Sequence, residues 1–370
     1  MSQKVRHVLG ISGGKDSAAL AIYMKNNYPE LDVEYYTADT GKELKETYQL
    51  IKNLELFLGK EIIKLQAFPD SSEDPFDHKL KSLNGFLPNP LNRWCTKSLK
   101  LDIFEKFVGN DPVISYVGIR GDENREGYIS KKDTIQSIFP FRQNIWSEDI
   151  IRLVLDNKNI YRCLAIANEK LSGEKTNRFI EILSRNVNEL YTRSDKLLQL
   201  LELDTREFNT IVHEFLKHTN YPAGFDTQFP LIDNNEVLVL KDIYNLLETS
   251  GVGIPAYYNE IEFTVNGQVA TYSRTRSGCY FCFYQQNIEW IWLYEQHPDL
   301  FAQAMEYEKD DFTWNQDEPL SELIKPERIE AIKLEYIKRK TRTEKIRRSS
   351  KLIDIFSDAS EDLGCASCFI

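Results

Sequence analysis

Three groups of residues in this chain have types and spacings that can do chemistry. The first is Ser12-Gly13-Gly14-Lys15-Asp16-Ser17, directly after a short apolar run. A turn leaving a strand and entering a helix N-terminus points several backbone N–H groups at an anion. Gly13 and Gly14 let the main chain approach closely, and Ser12, Lys15 and Ser17 add donors. The spacing is not that of a Walker A loop, which needs a glycine where Leu9 stands and a serine or threonine where Asp16 stands. An aspartate inside an anion loop is repulsive unless it meets a cation. Asp16 therefore reads as a Mg²⁺ contact or as the cap of the following helix.

The second group is cysteine. The six are Cys95, Cys163, Cys279, Cys282, Cys365 and Cys368, and four of them form two C-x-x-C pairs. A C-x-x-C turn offers two thiolates to one metal. Cys95 opens a helical pattern with Arg93, Lys97 and Lys100 around it, a setting expected to lower a thiol's pKa; a buried structural cysteine is the alternative. Cys163 lies among apolar neighbours and reads as core. The third group is charge. From Lys325 to Lys351 there are eleven Lys/Arg against four Asp/Glu, a local +7 in a chain of net −11. That run is either a solvated helix or a contact for nucleic acid or another acidic partner. The five histidines fit no metal or catalytic spacing.

The elements that must position these groups alternate between strand and helix. Residues 5–12, 32–39, 61–66 and 112–123 read as strands; 16–28, 42–59 and 96–109 read as helices, the last two closed by Gly59 and Gly109. This predicts an α/β fold, a parallel twisted sheet with helices on both faces, doubly wound. Residues 146–228 are nearly free of strand patterns and read as an all-helical insertion. Residues 251–263 read as a loop, and the end of the chain as a charged helical tail. The expected division is 1–145, 146–228, 229–310 and 311–370. At 370 residues, 42% hydrophobic and 12% aromatic, the chain is long enough for more than one core. It has no apolar run long enough to span a membrane and no signal-peptide core, so a cytoplasmic setting is expected.

Several stretches resemble one superfamily. "SGGKDS" resembles the pyrophosphate loop of the N-type ATP pyrophosphatases, which cleave ATP between the α and β phosphates. "TADTGKELKETY" resembles the second-strand segment of PAPS reductase-like proteins, which implies Asp39, Thr40 and Gly41 beside the adenosine; a helix cap reads equally well from the residues alone. "YVGIRGDENREGY" resembles a later family segment, implying Arg120 and Arg125 on phosphates or a sulfur-bearing substrate. "NRWCTKSLK" and "RSGCYFC" are similar to the DndC-like, DNA-phosphorothioation branch, implying Cys95, Cys279 and Cys282 on a [4Fe–4S] cluster. The likeness covers about 230 residues, 5–145 and 229–310.

What the resemblance implies is a HUP-like ATP pyrophosphatase that binds ATP and Mg²⁺ and adenylates a substrate for sulfur transfer. Lys15, Asp16, Cys95, Arg120 and Arg125 would be catalytic, and Lys100 would join the nucleotide site. Its substrate would be nucleic acid, its sulfur donor a cysteine desulfurase, and its setting a DNA-modification or phage-defence complex with protein partners. Two departures stand out. No cysteine lies between Phe283 and Gly364, so a fourth ligand must be Cys365 or Cys368. Otherwise the two C-x-x-C pairs share Zn²⁺ and leave Cys95 free, or three cysteines hold a cluster with an open iron. The tail "GCASCFI" also lacks the glutamate and histidine of a thiol-dependent PAPS reductase. That argues against simple sulfonucleotide reduction, the alternative activity; a non-catalytic nucleotide-binding subunit is the other alternative.

Overall fold

The computed structural model describes residues 4–347, except 126, 128, 227, 228, 310, 311, 316 and 317. Cys365, Cys368 and the last part of the expected tail lie outside the described residues.

Strand β1 (Arg6–Gly10) is the centre of the sheet. It pairs with β2 (Val33–Ala38) and β4 (Val113–Tyr116); β3 (Ile63–Leu65) and β5 (Ile135–Ile138) form the edges, in the order β3-β2-β1-β4-β5, all parallel. The parallel α/β expectation holds at this level. Side chains alternate across the sheet. Leu9 joins the core under α1 (Lys15–Asn27) and α2 (Lys45–Leu58), and Val8 joins Tyr36, Phe104 and Val108 on the opposite face. α1 is buried from Lys15 to Met24, so it reads as a core helix rather than an amphipathic one. Each of its large apolar side chains contributes roughly 1.5–3 kcal/mol by burial. α2 buries Thr47, Leu50, Leu54 and Leu58 along one stripe and stops at Gly59 in the left-handed region.

After β3 the chain crosses to the other face through α3 (Pro75–Ser82). α4 (Trp94–Thr96) then runs through a π turn, Lys97–Leu101, into α5 (Asp102–Val108). The expected strand at 112–123 ends at Tyr116, because Gly118 leaves the sheet to pack against the carbonyl of Asp16; a Cβ there would lie 2.8 Å from that oxygen. β5 was not anticipated. It is four residues long and buried on both faces, too short for a periodic signal.

The residues of the expected insertion are helical: α6 (Glu148–Val154), α7 (Ile160–Lys170), α8 (Thr176–Ser184) and α9 (Arg193–Leu216), broken at the extended Asp204. They do not form a core of their own. Phe208, Val212 and Phe215 join one apolar cluster with Ile138, Trp146 and α1, and Trp146 Nε1 donates to Asn209 Oδ1 at 2.8 Å. The buried Lys196 donates to the carbonyls of Leu183 and Arg185 at 2.7 and 2.8 Å, completing the end of α8. Phe229 to Val252, with α10 (Leu240–Thr249), share this core too.

A second core holds the rest. It gathers Phe76 and Trp94 with Phe281, Trp290 and Trp314, and contains α11 (Asn287–Gln296), α12 (Pro298–Glu306), α13 (Leu320–Leu323) and the start of α14 (Pro326–Arg347). Its one sheet is the antiparallel hairpin of β6 (Ile261–Val265) and β7 (Gln268–Tyr272). The loop expected at 251–263 holds as far as 260, and only its last three residues belong to β6. Asn266 and Gly267 both have positive φ, 48° and 73°, as the tight Asn-Gly hairpin turn demands. Among the described residues no helix is long and apolar enough to cross a membrane.

Two histidines, the buried His213 and the half-buried His7, meet near Asp226. His7 Nδ1 bonds the Tyr116 hydroxyl at 2.8 Å, and His213 Nε2 donates to the Asp226 carbonyl at 2.8 Å. Burial pushes both below the ordinary 6.5, more than the Asp226 charge restores for His7. Below about pH 6.5 the unfolded chain takes up protons that the folded chain refuses, so stability is lost as the pH is lowered. The melting temperature is expected to drop between pH 7.5 and 5.5, and less steeply in His213→Gln. A flat or rising profile in the wild type would contradict this.

Candidate active site

The sheet order reverses between β1 and β4, and that is where an open parallel sheet binds ligands. The loop 12–17 leaves β1 there and enters α1. Gly13 has φ 73°, and a Cβ on it would sit 2.2 Å from Thr47 Cγ2 of α2. A Cβ on Gly14 would sit 2.5 Å from Ser277 Oγ. The loop is therefore clasped between α2 and the segment leading to Cys279, and at Gly13 both the positive φ and the contact with Thr47 call for glycine. The Ser12 and Ser17 hydroxyls lie 3.1 Å apart, and Ser17 donates back to the Gly14 carbonyl at 3.2 Å. Tyr257 donates to the Gly13 carbonyl at 2.9 Å.

Lys15 and Asp16 are both buried. Lys15 Nζ lies 4.6 Å over the Tyr258 ring and 3.4 Å from Asp16 Oδ2. Asp16 Oδ1 receives Arg120 Nη1 at 2.7 Å. Arg120 also meets Asp122 at 2.9 Å and Glu123 at 3.2 Å. Burial works against its charge, but these carboxylates outweigh it and hold the guanidinium above its ordinary range. Asp16 thus lies between two cations at the mouth of the loop; it does not cap α1, whose cap residue is Gly14.

A cleft of about 270 Å³ opens beside the loop, close to the lower end of the size range of small-molecule sites. Ser12, Asp39, Glu43, Lys64, Lys100 and Gly278 line it. Asp39 accepts from the Gly41 amide at 2.9 Å and the Tyr48 hydroxyl at 2.8 Å, and pairs with Lys64. Burial raises its pKa, yet Lys64 and the two hydrogen bonds leave it below the usual carboxylate range. Thr40 donates to Glu43 at 2.7 Å and lies 3.2 Å from the Cys279 sulfur. The Glu43 carboxyl is raised by burial, against the Thr40 bond. Gly41 faces Asp74, which with Asp77 binds Lys42. Glu43, Tyr48 and Lys64 were missed from the sequence. The available signal for Lys64 was its place near the carboxyl end of β3, the edge where such sheets bind ligands.

The cysteine turn closes the cleft. Cys279 bridges to Glu43 in antiparallel fashion, the Tyr280 amide donates to the Lys42 carbonyl at 2.9 Å, and the Cys282 amide donates to the Cys279 carbonyl at 3.2 Å. Cys95 is close enough to Cys282 for their charges to interact. Lys100 reaches all three cysteines and Glu43 with its charge. It stands in the π turn, an irregularity common at functional sites. The expected low pKa of Cys95 is corrected: burial, then Cys282, push its thiol up to about 12, and Lys100 only partly opposes this. The helix that holds Cys95 begins at Trp94 and is three residues long before the π turn, and Arg93 lies over the Tyr284 ring instead. Burial raises Cys279 and Cys282 as well. Cys163 is core as expected, 1% exposed, its thiol on the Val154 carbonyl.

Among the described residues, no group of three or more His, Cys, Asp or Glu is disposed to hold a metal ion as the side chains stand. The donor chemistry nevertheless suits an anionic, thiolate-bound group. Arg274 is 1% exposed beside the turn, and of its guanidinium nitrogens Nη2 donates to the Cys279 carbonyl at 3.2 Å while Nε and Nη1 have no hydrogen-bond partner among the described residues. A buried guanidinium in that state is costly without a counter-charge.

Arg125 is not in this cleft. It pairs with Glu123 at 2.9 Å and lines a separate cleft with Arg142, whose guanidinium donates to the Glu123 and Arg125 carbonyls at 2.7 Å each.

No family model matches this chain. Over 154 residues it is 30% identical to an uncharacterized protein of Methanocaldococcus jannaschii, an alignment that covers 38% of this chain and 30% of that protein. The chain therefore spans less than a third of the relative's length.

Proposed function

We propose that this chain is an ATP pyrophosphatase that adenylates an acceptor for sulfur transfer. The reading rests on one observation: Ser12, the first residue of the loop, and Gly278, the residue before Cys279, stand in the wall of the same cleft. ATP would enter as its Mg²⁺ complex. The α1 N-terminus and Lys15 hold the β and γ phosphates, and Asp39 and Lys64 lie where the sheet edge receives the nucleoside. An acceptor oxygen attacks the α-phosphorus; that P–O bond forms as the α–β bridge breaks and pyrophosphate leaves. Arg120, aimed by Asp16, meets the charge that develops. A sulfur nucleophile arriving from the cysteine side then displaces AMP. Cys95, Cys279 and Cys282 are the residues that would hold a [4Fe–4S] cluster, either with Cys365 or Cys368 as a fourth ligand or with three cysteines and one open iron; only in the three-cysteine form would it supply an iron to carry sulfide. Zn²⁺ is the other occupant the thiols suit. The acceptor in this reading is nucleic acid, in a cytoplasmic DNA-modification or defence setting with a cysteine desulfurase as donor.

The test is product analysis. Anaerobically purified protein with Mg²⁺ and ATP is expected to yield AMP and pyrophosphate, and Lys15→Ala to lower the rate about 10²–10³-fold. ADP and phosphate as products would refute the reading.

A further inference from the structure

The cysteine side of the cleft is bordered by the run of cationic excess. Residues 325–351 carry +7 while the rest of the chain is near −18. The part of α14 whose side chains are described, residues 326–342, carries six Lys/Arg against three Glu. Its first half is tied down: Arg328 pairs with Glu318, and Lys333 pairs with Glu295 at 2.6 Å and lies 5.2 Å over the Phe263 ring. Its second half has spare charge. Lys338 and Arg342 are exposed and, among the described residues, neither is in an ion pair. Arg339 reaches across to Gln286, four residues beyond Cys282 and at the N-terminus of α11, so this half of α14 runs beside the cysteine turn. Near that turn the Arg93 guanidinium lies 5.2 Å over the Tyr284 ring, and Tyr284 packs on Phe283 with centroids 4.5 Å apart.

We propose that this border is a track for single-stranded polynucleotide, with phosphates on Lys338, Arg339 and Arg342 and a base stacked on Tyr284. Cationic side chains next to aromatic rings are how proteins hold single strands without reading sequence, since every base has a π face. Helical spacing supports a track: Lys338 and Arg342 are one turn apart, about 6 Å along the axis. A duplex fits less well. The thiols are half-buried, and an atom of a stacked, paired nucleotide must first leave the stack to reach such a site. The place of the reacting nucleotide rests on the function proposed above; the binding itself does not.

The experiment is fluorescence anisotropy on the full chain, from 50 to 200 mM salt, with labelled 20-nucleotide single-stranded DNA, single-stranded RNA and a DNA duplex. The single strands should bind more tightly than the duplex, and the tighter of the two identifies the sugar. In Lys338→Gln/Arg342→Gln the salt slope should shrink by about 1.4, from two lost phosphate contacts at roughly 0.7 each. Tyr284→Ala should weaken binding roughly tenfold and Tyr284→Phe little. No binding of either single strand at 50 mM salt, a preference for duplex, or indifference to both sets of variants would overturn the proposal. If the wild type fails to bind yet still makes AMP and pyrophosphate, the track is wrong and the pyrophosphatase reading stands.

Discussion

Arg120→Met is expected to destabilise the protein by about 3 kcal/mol and to remove nucleotide turnover. The 2.7 Å pair with Asp16 is nearly enclosed, with side chains 12% and 7% exposed. Removing one partner of a buried pair typically costs 3–5 kcal/mol, because the remaining charge is left in a poor solvent. Lys15 stays 3.4 Å from Asp16 and softens the loss, which places the estimate at the lower end. The same logic predicts a partial rescue. Asp16→Asn in the Arg120→Met background removes the stranded charge and should recover more than half of the stability. It should recover none of the turnover, since Arg120, the cation that meets the developing charge at the α-phosphorus, is still missing. Urea denaturation with AMP assays separates the two effects. An Arg120→Met protein as stable as the wild type would show that the pair is solvated and does not organise the loop.

Gly13→Ala is expected to cost about 2–5 kcal/mol and to abolish nucleotide binding. Two penalties combine. A residue with a Cβ pays roughly 1–2 kcal/mol at φ 73°. The new methyl would also lie 2.2 Å from Thr47 Cγ2, on a buried side chain of α2, and overpacking of this kind costs about 1–3 kcal/mol. Thr47→Ala should relieve the second penalty and not the first, so Gly13→Ala/Thr47→Ala is expected to recover to within about 2 kcal/mol of Thr47→Ala alone. Thermal melts and nucleotide titration give both readouts. If the double variant is no more stable than Gly13→Ala, the close approach of loop and α2 is not what requires the glycine.

Some of this architecture was legible because short-range physics sets it. The stop of α2 at Gly59 and of α5 at Gly109 follows from the left-handed or otherwise positive φ at each glycine. The Asn266-Gly267 hairpin was legible by the same rule and was missed because the residues before it looked like loop. β5 and the premature end of β4 were not legible. Both depend on packing partners far away in the chain: β5 on the sheet, and the turn at Gly118 on the backbone of Asp16.

The same division runs through the site. The sequence by itself determined the chemical character of the anion loop, because the ability of Ser12–Ser17 to approach a phosphate depends on side chains and φ angles within six residues. It also determined which sulfurs are available. Only the tertiary structure decided what those groups face. Asp16 meets Arg120 from 104 residues away, Cys279 meets Thr40 from 239 residues away, and Arg125 is turned into another cleft. It also reversed the expectation for Cys95. Neighbouring lysines argue for a thiolate when only sequence distance is known, but burial beside a second cysteine outweighs them once the chain is folded.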